Sequence, residues 1–433
     1  MGGSDFWANP STSPFVPHFG VSPPLLVGRR SELSALGSGL ATGPRDARYC
    51  SILMGVRGSG KTALLNEVQR EVASAGWVVL AVDASTPGLL DRIVASVDRA
   101  EESYEALDVG DRLDTTASKS VGIHLGVLAG KLTTTRRARE VHAQALRERL
   151  TTMAVAAQNH GTSMLLTVDE LHAVDRTEGR RLASDLQHII KREELPLAFL
   201  GAGLSEMKNT LLMDPKVTFF HRCEPFDLPP LATEDAINGL RDPIATAGGR
   251  ITPGALQLAA EAVDGSPYKM QVIGDQAWRQ AGAPKEQINE ITAADACIIA
   301  DAVYAERVSL PAWRDLSDAE RSVLVAVAHL GGQAKPRDVA GQIGSSSNAA
   351  ADRMSHIANA GYLARASAGN YQITGLVPLS VVLQEGQYHE LAAPTSSDVA
   401  DGSTVPARCN RWMPRARARC ALAAGHAGRC RSR

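Results

Sequence analysis

The chain has 433 residues, 44% of them hydrophobic and 21% charged, a balance that suits a soluble globular protein with two or three separate cores. No apolar run approaches the ~18 residues needed to cross a bilayer. Residues 1–24 lack the basic and apolar stretches of an export signal, so no membrane role is expected and the cytoplasm is the expected location. The net charge of −2 conceals an asymmetry: residues 401–433 hold eight Arg and one Asp, about +7, which leaves the remainder near −9. A basic tail on an acidic body suggests an anionic partner or self-association.

Taken in chain order, residues 1–23 are rich in Pro, Ser and Gly and read as a loose lead-in. Residues 49–54 form a short apolar run that ends at a glycine loop, the pattern of a buried parallel strand. A helix follows over 62–75, with apolar residues Leu64, Leu65, Val68 and Val72. Further strands are expected at 77–82, 164–168 and 197–200, with helical segments between them. The alternation predicts an α/β fold, a parallel sheet with helices on both faces. Residues 84–148 are an insertion between the second and third strands, with a Gly-containing patch at 121–132 and an Arg-rich helix over 134–150.

The loop over 55–62 reads Gly-Val-Arg-Gly-Ser-Gly-Lys-Thr, the spacing of a phosphate-binding P-loop. Gly55, Gly58 and Gly60 permit backbone angles that let successive N–H groups turn onto phosphate oxygens. The helix that begins near Lys61 adds the positive end of its dipole. Lys61 is expected on the outer phosphates and the Thr62 hydroxyl on Mg²⁺. Arg57, Ser59 and Ala63 complete the candidate nucleotide contacts. The strand over 164–168 delivers Asp169 to the Mg²⁺ shell and Glu170 to the attacking water, and it is expected beside the P-loop strand. These residues together describe ATP hydrolysis, with Glu170 and Lys61 catalytic.

Family resemblance rests on these motifs and on looser ones around them. The run from Pro24, Pro-Leu-Leu-Val-Gly-Arg-Arg, resembles the segment that touches adenine in AAA+ ATPases, in the subgroup similar to origin-recognition ATPases, STAND-like proteins and transposition helpers. The resemblance implies that Val27, Gly28 and Arg29 contact the nucleotide. Ser205, after Phe199-Leu-Gly-Ala-Gly-Leu, falls nearest to the first sensor of that family. Arg222 maps onto its arginine finger, acting in cis or from a neighbouring subunit. Residues 265–274, with Trp278, resemble the helical lid; a sensor 2 arginine is not evident there, and Lys269 is the nearest cation. The likeness covers about residues 24–285.

Beyond the lid, Ser317 and Glu320 have capping-box spacing at a helix start. A short helix over 336–343 follows, then a helix with Ala350, Met354 and Ile357 inward, then two strands about Ala368-Gly369. This resembles a winged helix-turn-helix, a module that origin-recognition-type ATPases also carry. If it holds double-stranded DNA, Ser345, Ser346, Ser347, Asn348 and Arg353 face a groove, with Lys335, Arg337 and Arg365 on phosphates. Such modules also bind protein, so a protein partner or a homo-oligomer stays open. Cys409, Cys420, His426 and Cys430 have the ligand types and number of a tetrahedral Zn²⁺ site, against the alternative of a basic tail with incidental cysteines.

The expected organisation is a lead-in over 1–23, an ATPase core over 24–231 and a helical lid and connector over 232–310. A winged helix over 311–384, a linker over 385–404 and a Cys/His tail over 405–433 follow. The leading expectation is a DNA-associated ATPase of the replication or mobile-element helper type. The alternative is a STAND-like nucleotide switch whose C-terminal modules bind protein.

Overall fold

A computed structural model describes residues 12–18, 20, 23, 25–111, 135–366, 369–392, 412–413 and 418–419. Five parallel strands form the central sheet: β1 (Cys50–Gly55), β2 (Val78–Asp83), β3 (Met164–Asp169), β4 (Leu197–Leu204) and β5 (Glu224–Asp227). Their spatial order is β2-β3-β4-β1-β5. Every residue of β1 and β3 is buried, as two-sided helix cover requires. The edge strands differ: β2 alternates buried with more open positions, and β5 carries Pro225, whose missing N–H suits an edge.

The strand order corrects one expectation. The acidic strand β3 does not lie beside the P-loop strand β1, because β4 pairs with both and separates them. β4 also runs four residues further than its apolar run indicates, through Gly201 and Gly203 to Leu204. A Cβ at Gly201 would come within 2.8 Å of Leu171 Cδ2, and one at Gly203 within 3.1 Å of the His172 backbone N. Those glycines let the turn after β3 fold over the end of β4. β5 is only four residues long and begins and ends on the charged Glu224 and Asp227, so the apolar-run signal misses it.

Helices α1 (Arg30–Thr42), α2 (Lys61–Ser74), α3 (Leu89–Asp111), α4 (Thr135–Asn159) and α5 (Arg176–Gln187) accompany the sheet. The described part of the insertion holds two helices, of which α4 outruns its expected end; the Gly patch at 121–132 lies outside the described residues. Asp185 on α5 is fully buried and receives Arg147 of α4 at 2.6 Å and Arg181 at 3.0 Å. Two guanidinium partners offset the desolvation of that carboxylate, and the Arg147 contact ties α4 to α5.

After β5 the chain is mainly helical: α6 (Thr233–Thr246), α7 (Pro253–Ala262), α8 (Pro267–Ala281), α9 (Glu290–Tyr304) and α10 (Leu310–Asp315). A π-helical turn, Ala305–Ser309, joins the last two. Then come α11 (Asp318–His329), β6 (Gln333–Ala334), α12 (Pro336–Ile343), α13 (Ser347–Asn359), β7 (Leu363–Arg365) and β8 (Tyr371–Ile373). The three strands make an antiparallel sheet in the order β6-β8-β7. Ser317 caps α11 in a reciprocal box with Glu320, and Ala350, Met354 and Ile357 of α13 are fully buried.

Helix α14 (Leu379–Ala392) follows, and the chain divides at Leu383 into two compact units. The second unit contains a two-residue antiparallel pair, β9 (Trp412–Met413) with β10 (Ala418–Arg419). Cys409, Cys420, His426 and Cys430 lie outside the described residues. No described helix is long and apolar enough to cross a membrane.

Residues 12–18 of the lead-in depart from expectation. Phe15 is only 4% exposed, packed against Gly274 of α8, and the Val16 N–H donates to Gln271 Oε1 at 3.0 Å. The ring against α8 and this hydrogen bond hold residues 12–18, and a composition rich in Pro and Ser conceals them.

Candidate functional site

The carboxyl ends of β1, β3 and β4 converge on a cleft of about 460 Å³, within the range of small-ligand sites. The loop after β1 forms its floor. Gly58 and Gly60 have φ of +78° and +87°, angles that a Cβ would strain, and α2 starts directly behind them. Of the expected contacts, Arg57, Gly58, Ser59, Gly60, Lys61, Thr62 and Ala63 line the cleft. Gly55 contributes from behind, its carbonyl accepting from Lys61 Nζ at 3.1 Å; the Val56 carbonyl accepts at 3.0 Å. Burial pushes the Lys61 ammonium down to about 8, while Glu170 and Asp169 favour its charge and Arg57 opposes it. A phosphate arriving at the loop gives this desolvated cation the counter-charge that neutral carbonyls cannot.

Thr62 Oγ1 donates to Asp169 Oδ2 at 2.7 Å, although β4 stands between their strands. The start of α2 and the end of β3 therefore meet above β4. A hydroxyl and a carboxylate in contact are hard oxygen donors, the small protein share that Mg²⁺ takes when phosphates and water supply the rest. The donor set fits that ion. Among the described residues no cluster of three metal-binding side chains occurs.

Glu170 also lines the cleft. Its backbone has φ of +53°, unusual for a residue with a side chain. Burial raises its carboxyl pKa first, then the charge of Asp169, with Lys61 and Arg57 opposing. His172 Nδ1 lies 3.2 Å from Glu170 Oε2 and 3.4 Å from the Leu204 backbone N. Burial, then Lys61 and Arg57, holds this imidazole at about 4, so the ring is neutral near pH 7. With its proton on Nδ1 the ring donates to Glu170; without it, the same nitrogen accepts from Leu204. Sequence reasoning passed over His172, although its place two residues after Glu170 was the available signal.

The remaining expected residues divide. Val27 lines the cleft. Arg29 also borders it, yet it is 2% exposed, and its guanidinium donates to the carbonyls of Gly28, Ser59 and Pro229. It braces the phosphate loop from the side, a structural use that the motif did not indicate. Gly28 is outside the lining and makes room for Leu231. Ser205 begins the turn after β4, and only Leu204 of that segment reaches the cleft. Lys269 turns away to Asp301 at 2.6 Å. Arg222 is exposed just before β5, which runs parallel to β1, so it sits at the amino edge of the sheet, away from its own chain's cleft.

The far wall comes from the lid and lead-in: Val16, His18, Tyr268, Gln271 and Arg307. Arg307 is on the π-turn and donates to the Tyr268 hydroxyl at 3.3 Å. Such turns break helical phase and redirect single side chains, and a regular helical pattern gives no warning of one.

Residues 25–200 match the AAA ATPase domain family. No curated protein matches the sequence. Among solved structures, the fold is similar to the ORC2 protein of Aeropyrum pernix in its ADPNP–ADP complexes, at 16% identity and a TM-score of 0.57, covering 87% of this chain and 98% of that one. It is also similar to a Walker-type ATPase of Pyrococcus abyssi, at 14% identity and a TM-score of 0.55, covering 83% and 96%. At these identities the likeness concerns the fold alone. The matched segment contains the phosphate loop, the helix behind it and the acidic end of β3, and on that ground this chain carries an AAA ATPase domain.

Proposed function

We propose that this protein binds ATP with Mg²⁺ in the cleft and hydrolyses it. The observation that carries the reading is the 2.7 Å contact between Thr62 and Asp169, which joins the two halves of the expected site across β4. Mg²⁺, when bound, supplies positive charge to the phosphates, with Thr62 and Asp169 as its protein ligands. Lys61 leaves the Gly55 and Val56 carbonyls for the outer phosphates. Glu170 accepts a hydrogen bond from the attacking water and orients it. Val27 belongs to the base side of the cleft. Arg222 serves only the cleft of a neighbouring copy, which favours a homo-oligomer.

Residues 318–373 support a winged helix that holds double-stranded DNA. Helices α11 to α13 and their three-stranded sheet leave Ser346, which caps α13, and Ser347, Asn348 and Arg353 on that helix exposed. Ser345 is partly covered, Arg337 and Arg365 are exposed, and Lys335 is half-buried. Arg365 ties the hairpin to α13 through Ser355 at 2.9 Å. A second reading, a nucleotide switch with a protein partner, draws support from the contact between this module and the phosphate loop described below. The Zn²⁺ proposal for Cys409, Cys420, His426 and Cys430 is a separate matter that metal analysis of the full chain decides.

Purified protein assayed for Mg²⁺-dependent ATP turnover, with and without duplex DNA, tests the reading. DNA-stimulated turnover supports the DNA reading, and turnover indifferent to DNA supports the switch. Glu170→Gln should reduce turnover by about 10²–10⁴-fold while ATP binding persists; undiminished turnover would remove Glu170 from the chemistry.

A further inference from the structure

We propose that Asp315 sets the preference of the cleft between tri- and diphosphate by competing with the terminal phosphate for Arg57. This rests on the ATP reading above. Arg57 belongs to the phosphate loop and lines the cleft, yet its guanidinium donates to Asp315 Oδ2, at the end of α10, at 2.8 Å. The two side chains are 38% and 47% exposed, and a solvated pair of this kind is held by a factor of only about two to five. A terminal phosphate offers the guanidinium more charge and a bidentate partner. Arg57 is therefore within reach of two anions, and it can serve one at a time. A diphosphate leaves the outermost position of the loop empty and makes no claim on it.

A second contact links this choice to the C-terminal module. Gly361, at the turn after α13 with φ of +92°, sits so close to Val56 that a Cβ there would overlap the Val56 side chain. The next residue, Tyr362, is buried and donates through its hydroxyl to the Ala312 carbonyl of α10 at 2.9 Å. Asp315 and Gly361 thus belong to one patch seated on consecutive P-loop residues, Val56 and Arg57. Glu206, on the turn after β4, is raised by its burial first and then by Asp315, while Arg57 pulls it back. Arg57 pairs directly with Asp315 and, with His356, is a cation that favours the charge of Glu206. Its transfer to a phosphate leaves those like charges without it and loosens the patch.

The test is calorimetry on the full chain with Mg²⁺, comparing a non-hydrolysable ATP analogue with ADP. Asp315→Asn is expected to bind the analogue about two- to five-fold more tightly and to bind ADP as before. In an Arg57→Ala background the same substitution is expected to change neither. An equal shift for both nucleotides, no shift for the analogue, or a shift that persists without Arg57 overturns the proposal. Hydrogen exchange gives a second readout: the analogue, and not ADP, should raise exchange at residues 310–315 and 361, and equal protection in both states overturns the link to the module. A wild-type chain that binds neither nucleotide is a different failure, and it removes the ATP reading itself.

Discussion

The sheet and the helical half of this protein are built on two separate hydrophobic cores, and the nucleotide cleft lies at their seam. The first core runs from Leu36 to Leu228 and contains β1 to β4 with their helices. The second takes Phe15 and then everything from Leu231 to Val382, including α8 of the lid and α11 and α13 beyond it. Lid and C-terminal module share one interior, so they are expected to respond to the nucleotide as one body. The cleft has its phosphate loop on the first core and its Tyr268, Gln271 and Arg307 wall on the second. Among the described residues, the ties that cross between them include the Tyr268 N–H to the Gly58 carbonyl at 3.4 Å, Arg29 joining Ser59 to Pro229, Arg57 with Asp315, and the packing of Gly361 on Val56.

The largest effect that could break this comparison comes from Met354→Ala. Met354 is fully buried in α13, and truncating such a side chain costs about 2–5 kcal/mol. Hydrogen exchange should show α8 and α13 losing protection together while β3 keeps its own. Loss confined to α13, with α8 unchanged, would show that the shared core is two cores.

How far the sequence foretold these cores depends on the kind of signal each residue carries. The P-loop, α2 and β3 were legible because apolar runs and a fixed glycine spacing leave one backbone solution. The start of α11 was legible from Ser317 and Glu320, whose side chains satisfy backbone N–H groups at the helix end. Placement of β4 between β1 and β3 was not legible, since an apolar run records burial and says nothing of which strand is its neighbour. Phe15, Arg307 and Asp315 were missed for a related reason: each acts through a partner distant in sequence, and periodicity carries no long-range pairing. Arg29 shows the converse, a motif residue whose position was foreseen and whose carbonyl partners were not.

A smaller effect is expected from Phe15→Ala. The ring is held against one side of α8, so the loss should fall at or below the low end of the ~3–5 kcal/mol seen for Phe→Ala in closed cores. Val16 and His18 line the cleft just beyond it. Limited proteolysis of residues 12–18 should speed up, and ATP affinity should fall with it. An unchanged affinity would make the strap a cover for the lid alone, and would place the cleft entirely between α2 and α8.

The smallest effect concerns the outer surface of the second body, where α13 has little charge to work with. Arg353 stands beside Asp352, and Arg337 is paired with Asp338 at 3.3 Å, so local carboxylates cancel part of the field. If α13 meets duplex DNA, Arg353→Ala should weaken binding similarly across sequences and reduce the salt slope by about 1. The basic tail is a rival source of the same affinity, because residues 401–433 carry eight Arg. The two sources separate cleanly: a chain lacking residues 401–433 that still binds in a salt-dependent way, and still responds to Arg353→Ala, places the interface on α13. Binding that vanishes with the tail and ignores Arg353 would leave the exposed face of α13 to a protein partner, and would tie the shared core to signalling through protein contacts.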